Sequence, residues 1–385
     1  MERDDLRGTW GMRREAELGN TRAREAIERA LTYGLPAAPS IRDRTISLFS
    51  RGRAPSYAGI QTFLSAPYLE DANGVDGQDV VVVGAPLDTG ATVRPGARYG
   101  PRGLRLASAI PGGYNLEAGV DLAECLDMAD IGDIFTIPAN IEKSFDQIDR
   151  AIAHIFSRGV FPLVLGGDHS IGYPDIRGIA PYVDGNIGII HFDRHVDTAE
   201  TNLDERMHGT PWFHATNIPN APATNLVQIG IGGWLGTRAG TTVCRDRGTT
   251  VVTMDDVDRL GVDRVAELAL EVAWKDAKAV WLSFDIDCVD PAFAPGTGTP
   301  EPGGFLPREI LRLLRLVARE GVAGMEVVEV SPSYDVSEIT ALLGVRAALD
   351  VFGTLVTEGK LGRRPGVSDT RPDAPKEQGG SEAGG

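Results

Sequence analysis

The residues best suited to chemistry in this chain close three short apolar runs. Asp193-Arg-His-Val-Asp197 follows Ile187-Gly-Ile-Ile-His-Phe192, His169 closes Val164-Leu-Gly-Gly-Asp-His-Ser170, and Asp285 and Asp287 close Trp281-Leu-Ser-Phe-Asp-Ile-Asp287. Runs of this length and β-branched content read as buried parallel strands. If the strand before Asp193 continues through the motif, alternation puts Asp193, His195 and Asp197 on one side. They would then converge at the carboxyl end, where open α/β sheets gather ligands. The three ends together supply two imidazoles, His169 and His195, and four carboxylates, Asp193, Asp197, Asp285 and Asp287. That donor set suits two divalent ions sharing carboxylate bridges. Each motif alone has a plainer reading: an Asp-x-His-x-Asp can close a hydrogen-bonded loop, and Asp168 and Ser170 can cap a helix. Their joint occurrence favours metal, because carboxylates are rarely buried without partners.

Regular elements must hold these groups. Strands are expected at Asp79–Val83, Met128–Ile134, Phe161–Leu165, Ile187–Phe192, Asn225–Ile231, Thr250–Met254, Ala279–Phe284 and Gly324–Val330. Helices are expected at Ser144–Arg158, Val262–Asp276, Pro307–Glu320 and Ser337–Thr357, the last three with apolar residues at three- and four-residue spacing. Such alternation implies an α/β fold with a mainly parallel sheet covered on both faces. Between the first two strands, Ala85 to Arg105 is rich in glycine and proline, a long ordered loop with Pro101 placed for the first turn of a helix. Loops of that length inside a domain are usually functional.

Residues 1–55 read as an amino-terminal extension that packs on a neighbour or forms a mobile arm, with a helix over Glu15 to Leu31. Residues 56–360 read as one catalytic domain, and 361–385 as a disordered Pro-, Gly- and acid-rich tail. The formal charge of −16 argues against nucleic acid or an anionic membrane as partner. Three scattered cysteines, Cys125, Cys244 and Cys288, fit a reducing cytoplasm. The start of the chain does not read as a signal peptide, and no run is expected to cross a membrane.

Several segments resemble the ureohydrolase (arginase/agmatinase) family, and its agmatinase-like branch most. They are Val82–Asp88 with Arg94–Pro101, Gly166–Ser170, Asp193–Asp197, His208-Gly-Thr-Pro211, Ser283–Gly304 and Glu326-Val-Val-Glu-Val-Ser-Pro332. The resemblance implies a three-layer α/β/α arginase-like fold with an eight-stranded sheet. It also implies a two-manganese site, with nickel as an alternative, that cleaves a guanidino compound to urea and an amine through a metal-bridging hydroxide. By the same resemblance, His169, Asp193, Asp197 and Asp285 hold one ion, and Asp193, His195, Asp285 and Asp287 the other. Asp197 also aims the nucleophile, Glu329 pairs with the guanidinium, and His208 protonates the departing amine. Agmatine or a guanidino acid is the expected substrate, with another small guanidine, a formimino compound or a non-catalytic partner role as alternatives. A homo-oligomer, trimer or hexamer, is expected.

Arg194 departs from the family pattern, where a small residue is common. It either points away from the ions to brace a carboxylate or reaches toward an atypical substrate. Substrate choice is expected in Thr198 to Met207, whose Glu200, Asp204 and Glu205 suit a cation. Trp212 and Trp234 are candidates for the pocket wall or for packing, and Cys288 for packing.

Overall fold

The computed structural model describes residues 21–36, 46–51 and 55–363. Eight strands form its main sheet: β1 (Val80–Ala85), β2 (Met128–Asp133), β3 (Phe161–Gly166), β4 (Asn186–Phe192), β5 (Leu226–Ile231), β6 (Thr250–Thr253), β7 (Ala277–Asp285) and β8 (Gly324–Val328). Every pairing in it is parallel, in the order β2-β1-β3-β8-β7-β4-β5-β6.

The continuous apolar strands follow from burial on both faces. Val80 and Val82 of β1 join one core, with the helices Val262–Ala273, Pro307–Ala318 and Ile339–Thr357. Val81 and Val83 join the opposite core, with the helices Ile141–Phe156 and Gly172–Ile179. The three-layer α/β/α arrangement is therefore present. The helix Ile141–Phe156 shows how the sequence encodes this. Asn140 caps it by accepting from the Lys143 amide at 2.8 Å, and Phe145, Ile148, Ile152 and Ile155 bury one stripe.

Some expectations need correction. The strand at Thr250 stops at Thr253, because Thr253 and Asp256 form a capping box that starts a helix at Met254. The strand at Gly324 stops at Val328, because Glu329 adopts a positive φ of 62°. The helices Gly172–Ile179 and Arg238–Arg247 were not foreseen; both carry glycines that dilute the helical signal. The expected amino-terminal helix is present as Thr21–Gly34, and its Glu15 start lies outside the described residues, as does the tail beyond 363. Contrary to expectation, one segment, Ile339–Thr357, is long and apolar enough to cross a membrane. In the fold 67% of its most apolar window is buried, as in a core helix packed between sheet and neighbours.

Candidate metal centre

Four adjacent strands, β3, β8, β7 and β4, bring their carboxyl ends together. His169 lies in the turn after β3, Asp285 ends β7, and Asp193 follows β4. Alternation along a strand does not place the Asp193–Asp197 motif, because β4 ends at Phe192. A side-chain turn does so instead. Asp193 Oδ1 accepts from the His195 amide at 2.6 Å, and Asp285 Oδ1 accepts from the Asp287 amide at 2.8 Å. Asp168 makes the same turn onto the Ser170 amide at 3.0 Å and also accepts from the Gly90 amide at 2.7 Å. Asp168 is thus the capping residue its alternative reading suggested, and His169 projects beside it. Asp197 sits at a φ of 45°, a costly conformation for a residue with a side chain.

All six ligand-type residues converge. His169 Nδ1 lies 2.9 Å from Asp193 Oδ2, 3.1 Å from Asp197 Oδ2 and 3.0 Å from Asp285 Oδ2. His195 Nδ1 lies 3.2 Å from both Asp193 Oδ1 and Asp287 Oδ2. Asp193 therefore turns one oxygen to each imidazole, as a bridging carboxylate does. His169 Nε2 meets Ser283 Oγ at 2.9 Å, which leaves Nδ1 facing three carboxylates. Such a cluster of acceptors is repulsive unless a cation sits among them. The separations also fit one, since metal–oxygen distances of about 2.1 Å in an octahedron place adjacent donors about 3.0 Å apart. The donor set therefore fits divalent ions.

The electrostatics agree. Burial lowers the proton affinity of His169 and His195, yet both stand well above the ordinary imidazole range. Asp193, Asp197 and Asp285 raise the first, and Asp287 and Asp193 the second. Asp285 is pushed well up by burial and then by the charges of Asp287 and Asp193. The same carboxylate charges that favour protons here would favour a divalent cation.

Glu329 and His208 lie together beside the ligands. Glu329 Oε1 accepts from the His169 amide at 2.9 Å and meets His208 Nδ1 at 3.0 Å. His208 Nε2 meets Thr92 Oγ1 at 2.7 Å, so the glycine-rich loop holds the ring from the other side. Glu329 Oε2 faces Gly298, where any side chain would intrude: a Cβ would lie 3.5 Å from Oε2 and 2.9 Å from the Arg94 carbonyl. Burial lowers the His208 proton affinity, but the bond to Glu329 and its charge raise it more, to about 9. The pair's contribution to stability is therefore complete below about pH 6.5, the ordinary imidazole value, and lost as pH rises through about 9. An NMR titration of the His208 ring in metal-free protein is expected to show this raised value. In Glu329→Gln the value should fall, because the dominant raising interaction is gone.

Arg194 points away from the ligands. Its Nη1 donates to the Gly230 carbonyl at 2.9 Å and Nη2 to the Pro302 carbonyl at 3.2 Å, so the side chain braces backbone, while its main-chain amide donates to Asp287 Oδ1 at 3.3 Å. Trp212 is buried and packs edge-on to His169, so it braces that imidazole, whereas Trp234 is 97% exposed. Cys288 is core packing. Glu200, Asp204 and Glu205 are exposed on their loop. Residues missed from sequence are Ser283, Thr92, His191, which donates toward Asp193 Oδ2 at 2.8 Å, and Thr299, which donates to Asp287 Oδ2 at 2.8 Å. A lone polar residue inside an apolar strand was the available signal for His191 and Ser283.

Comparison with known proteins agrees with this geometry. The Arginase family model matches residues 78–353. The chain is 37% identical over 300 residues to the proclavaminate amidinohydrolase of Streptomyces clavuligerus, covering 78% of this chain and 94% of that one. It is 37% identical to the mitochondrial agmatinase of Gallus gallus, covering 77% and 86% respectively. A solved structure of the Streptomyces clavuligerus proclavaminate amidinohydrolase superposes with a TM-score of 0.70 at 36% identity, covering 78% of this chain and 98% of that one. With the eight-stranded parallel sheet and the convergent strand ends, these matches make the chain a member of the arginase family, an agmatinase-like hydrolase of C–N bonds in linear amidines.

Proposed function

We propose that the chain cleaves a small cationic guanidino compound, agmatine or a guanidino acid, to urea and an amine with two divalent ions. The observation that carries this reading is Asp193, which faces His169 with one carboxylate oxygen and His195 with the other. His169, Asp193, Asp197 and Asp285 would hold one ion, and Asp193, His195, Asp285 and Asp287 the other. When bound, such a pair acidifies water and so supplies a nucleophile near neutral pH. The chain's own residues do the rest. Glu329 pairs with the guanidinium and fixes its carbon within reach of the strand ends. Asp197 accepts a hydrogen bond from the attacking water and aims it. His208 gives its proton to the departing amine nitrogen, and its place on Glu329 Oε1 keeps that proton beside the substrate. Manganese is the proposed metal and nickel the alternative. The setting is cytoplasmic, as three unpaired cysteines suggest, and the assembly a homo-oligomer, trimer or hexamer.

Urea release across a panel of guanidino compounds, after loading with manganese or nickel, tests the proposal. Turnover of one such compound, with two ions per chain by elemental analysis, is the expected result. Formamide release from formimino compounds alone would favour the alternative chemistry, and no turnover at all a non-catalytic partner. Substrate choice should lie in the 198–207 loop. Glu200→Ala, Asp204→Ala and Glu205→Ala are expected to change KM for a diamine-like substrate by roughly two- to fivefold, the scale of an exposed charge pair, with metal content unchanged. An unaltered substrate ranking in all three would move specificity to the Gly90–Tyr99 loop or to a neighbouring subunit.

A further inference from the structure

Beneath the ligands runs a row of polar side chains where parallel strands should be apolar. Gln228 of β5 is the register partner of His191 on β4, His191 of Ser283 on β7, and Ser283 of Glu326 on β8. All four are 0% exposed. Register partners in a sheet share a face, so these side chains form one line across four neighbouring strands. His191 stands two residues before Asp193, and Ser283 two before Asp285, which puts the line one layer below the metal donors.

Its hydrogen bonds run upward into the site. Gln228 Nε2 donates to His191 Nδ1 at 3.2 Å and to the Val196 carbonyl inside the ligand turn. That bond leaves the His191 proton on Nε2, which donates to Asp193 Oδ2 at 2.8 Å. Ser283 Oγ takes His169 Nε2 at 2.9 Å, and Glu326 Oε1 ends the row 4.0 Å from the same nitrogen. Trp212 closes over both imidazoles, with ring centroids 5.4 Å from His169 and 5.0 Å from His191. A buried polar group in a strand interior is costly unless it is bonded, and for Gln228, His191 and Ser283 the bonds end on metal donors and on the turn that carries them.

We propose that this row is a positioning layer for the two-ion site. Ser283 turns His169 so that Nδ1 faces the carboxylates, and Gln228 acts through His191 to fix Asp193 Oδ2, and with it the carboxylate that faces both imidazoles. The row touches neither substrate nor ions, and the inference rests on the two-ion reading above. Partners of this kind typically contribute tenfold to a hundredfold to metal affinity.

Calorimetric titration of metal-free, full-length protein with manganese tests it. His191→Phe removes the donor to Asp193 and should weaken both ions by roughly ten- to a hundredfold, because Asp193 serves both. His191→Gln keeps an N–H donor and should stay within about threefold of the parent, a rescue that loss of ring packing alone would not show. Ser283→Ala should weaken, by roughly tenfold, only the ion held by His169. Folded His191→Phe with the parent's two affinities overturns the proposal, and so does His191→Gln as weak as His191→Phe. If His191→Phe does not fold, Ser283→Ala decides, and parent-like affinity at both sites overturns the layer. A parent chain that binds no pair of ions refutes the two-ion reading itself. A parent with two ions and indifferent variants refutes the layer alone.

Discussion

Glu329→Gln is expected to keep its bound metal and lose most of its turnover. Glu329 touches no candidate ion donor through its own charge except across the His169 amide, so the metal content should survive. What the substitution removes is the anionic partner of the guanidinium in a site where that group is 2% exposed. Losing one member of a buried charge pair costs about 2–5 kcal/mol, which corresponds to a fall in kcat/KM of roughly thirtyfold to several thousandfold. Elemental analysis beside urea-release kinetics separates the outcomes. Intact metal with crippled turnover supports the pairing role. Lost metal would make Glu329 a support for His169 instead, since its Oε1 also holds that amide.

Removing the bridge should have the other large effect. Asp193→Ala strips one charged donor from each ion at once and leaves His169 and His195 without their shared carboxylate. Unpairing a buried charge costs about 3–5 kcal/mol, so both affinities should drop by roughly a hundred- to several thousandfold, and urea release with them. Asp287→Ala makes the contrast, because of the two ligand imidazoles Asp287 meets His195, at 3.2 Å, and not His169. It should leave one ion firmly held. Equal metal loss in the two variants, or none in Asp287→Ala, would remove the basis for a two-ion site.

The sequence was most legible where one physical rule acts locally. Buried parallel strands must be apolar along their whole length, so runs such as Val80–Val83 and Ile187–Phe192 announced the eight strands with errors of a residue or two. Hydrolytic metal chemistry needs hard donors, so the residue types of His169, Asp193, His195, Asp197, Asp285 and Asp287 marked them as candidate donors, and the structure brings all six together. Boundaries were less legible where a single residue's conformation ended an element. Thr253 turned a strand into a helix through a reciprocal cap, and Glu329 left β8 through a positive φ. Composition does not report either event.

What the sequence by itself determined is therefore the alternation of elements, the donor chemistry and the family resemblance. What only the tertiary structure decided is proximity. Strand order sets β3, β8, β7 and β4 side by side, so residues as distant in sequence as His169 and Glu329 meet within one hydrogen bond. Register laid Gln228, His191, Ser283 and Glu326 in one row, and packing turned Arg194 onto two carbonyls and away from the ligands. Periodicity fixes which face of its own strand a side chain occupies, whereas pairing between strands is set by long-range burial that no local pattern encodes.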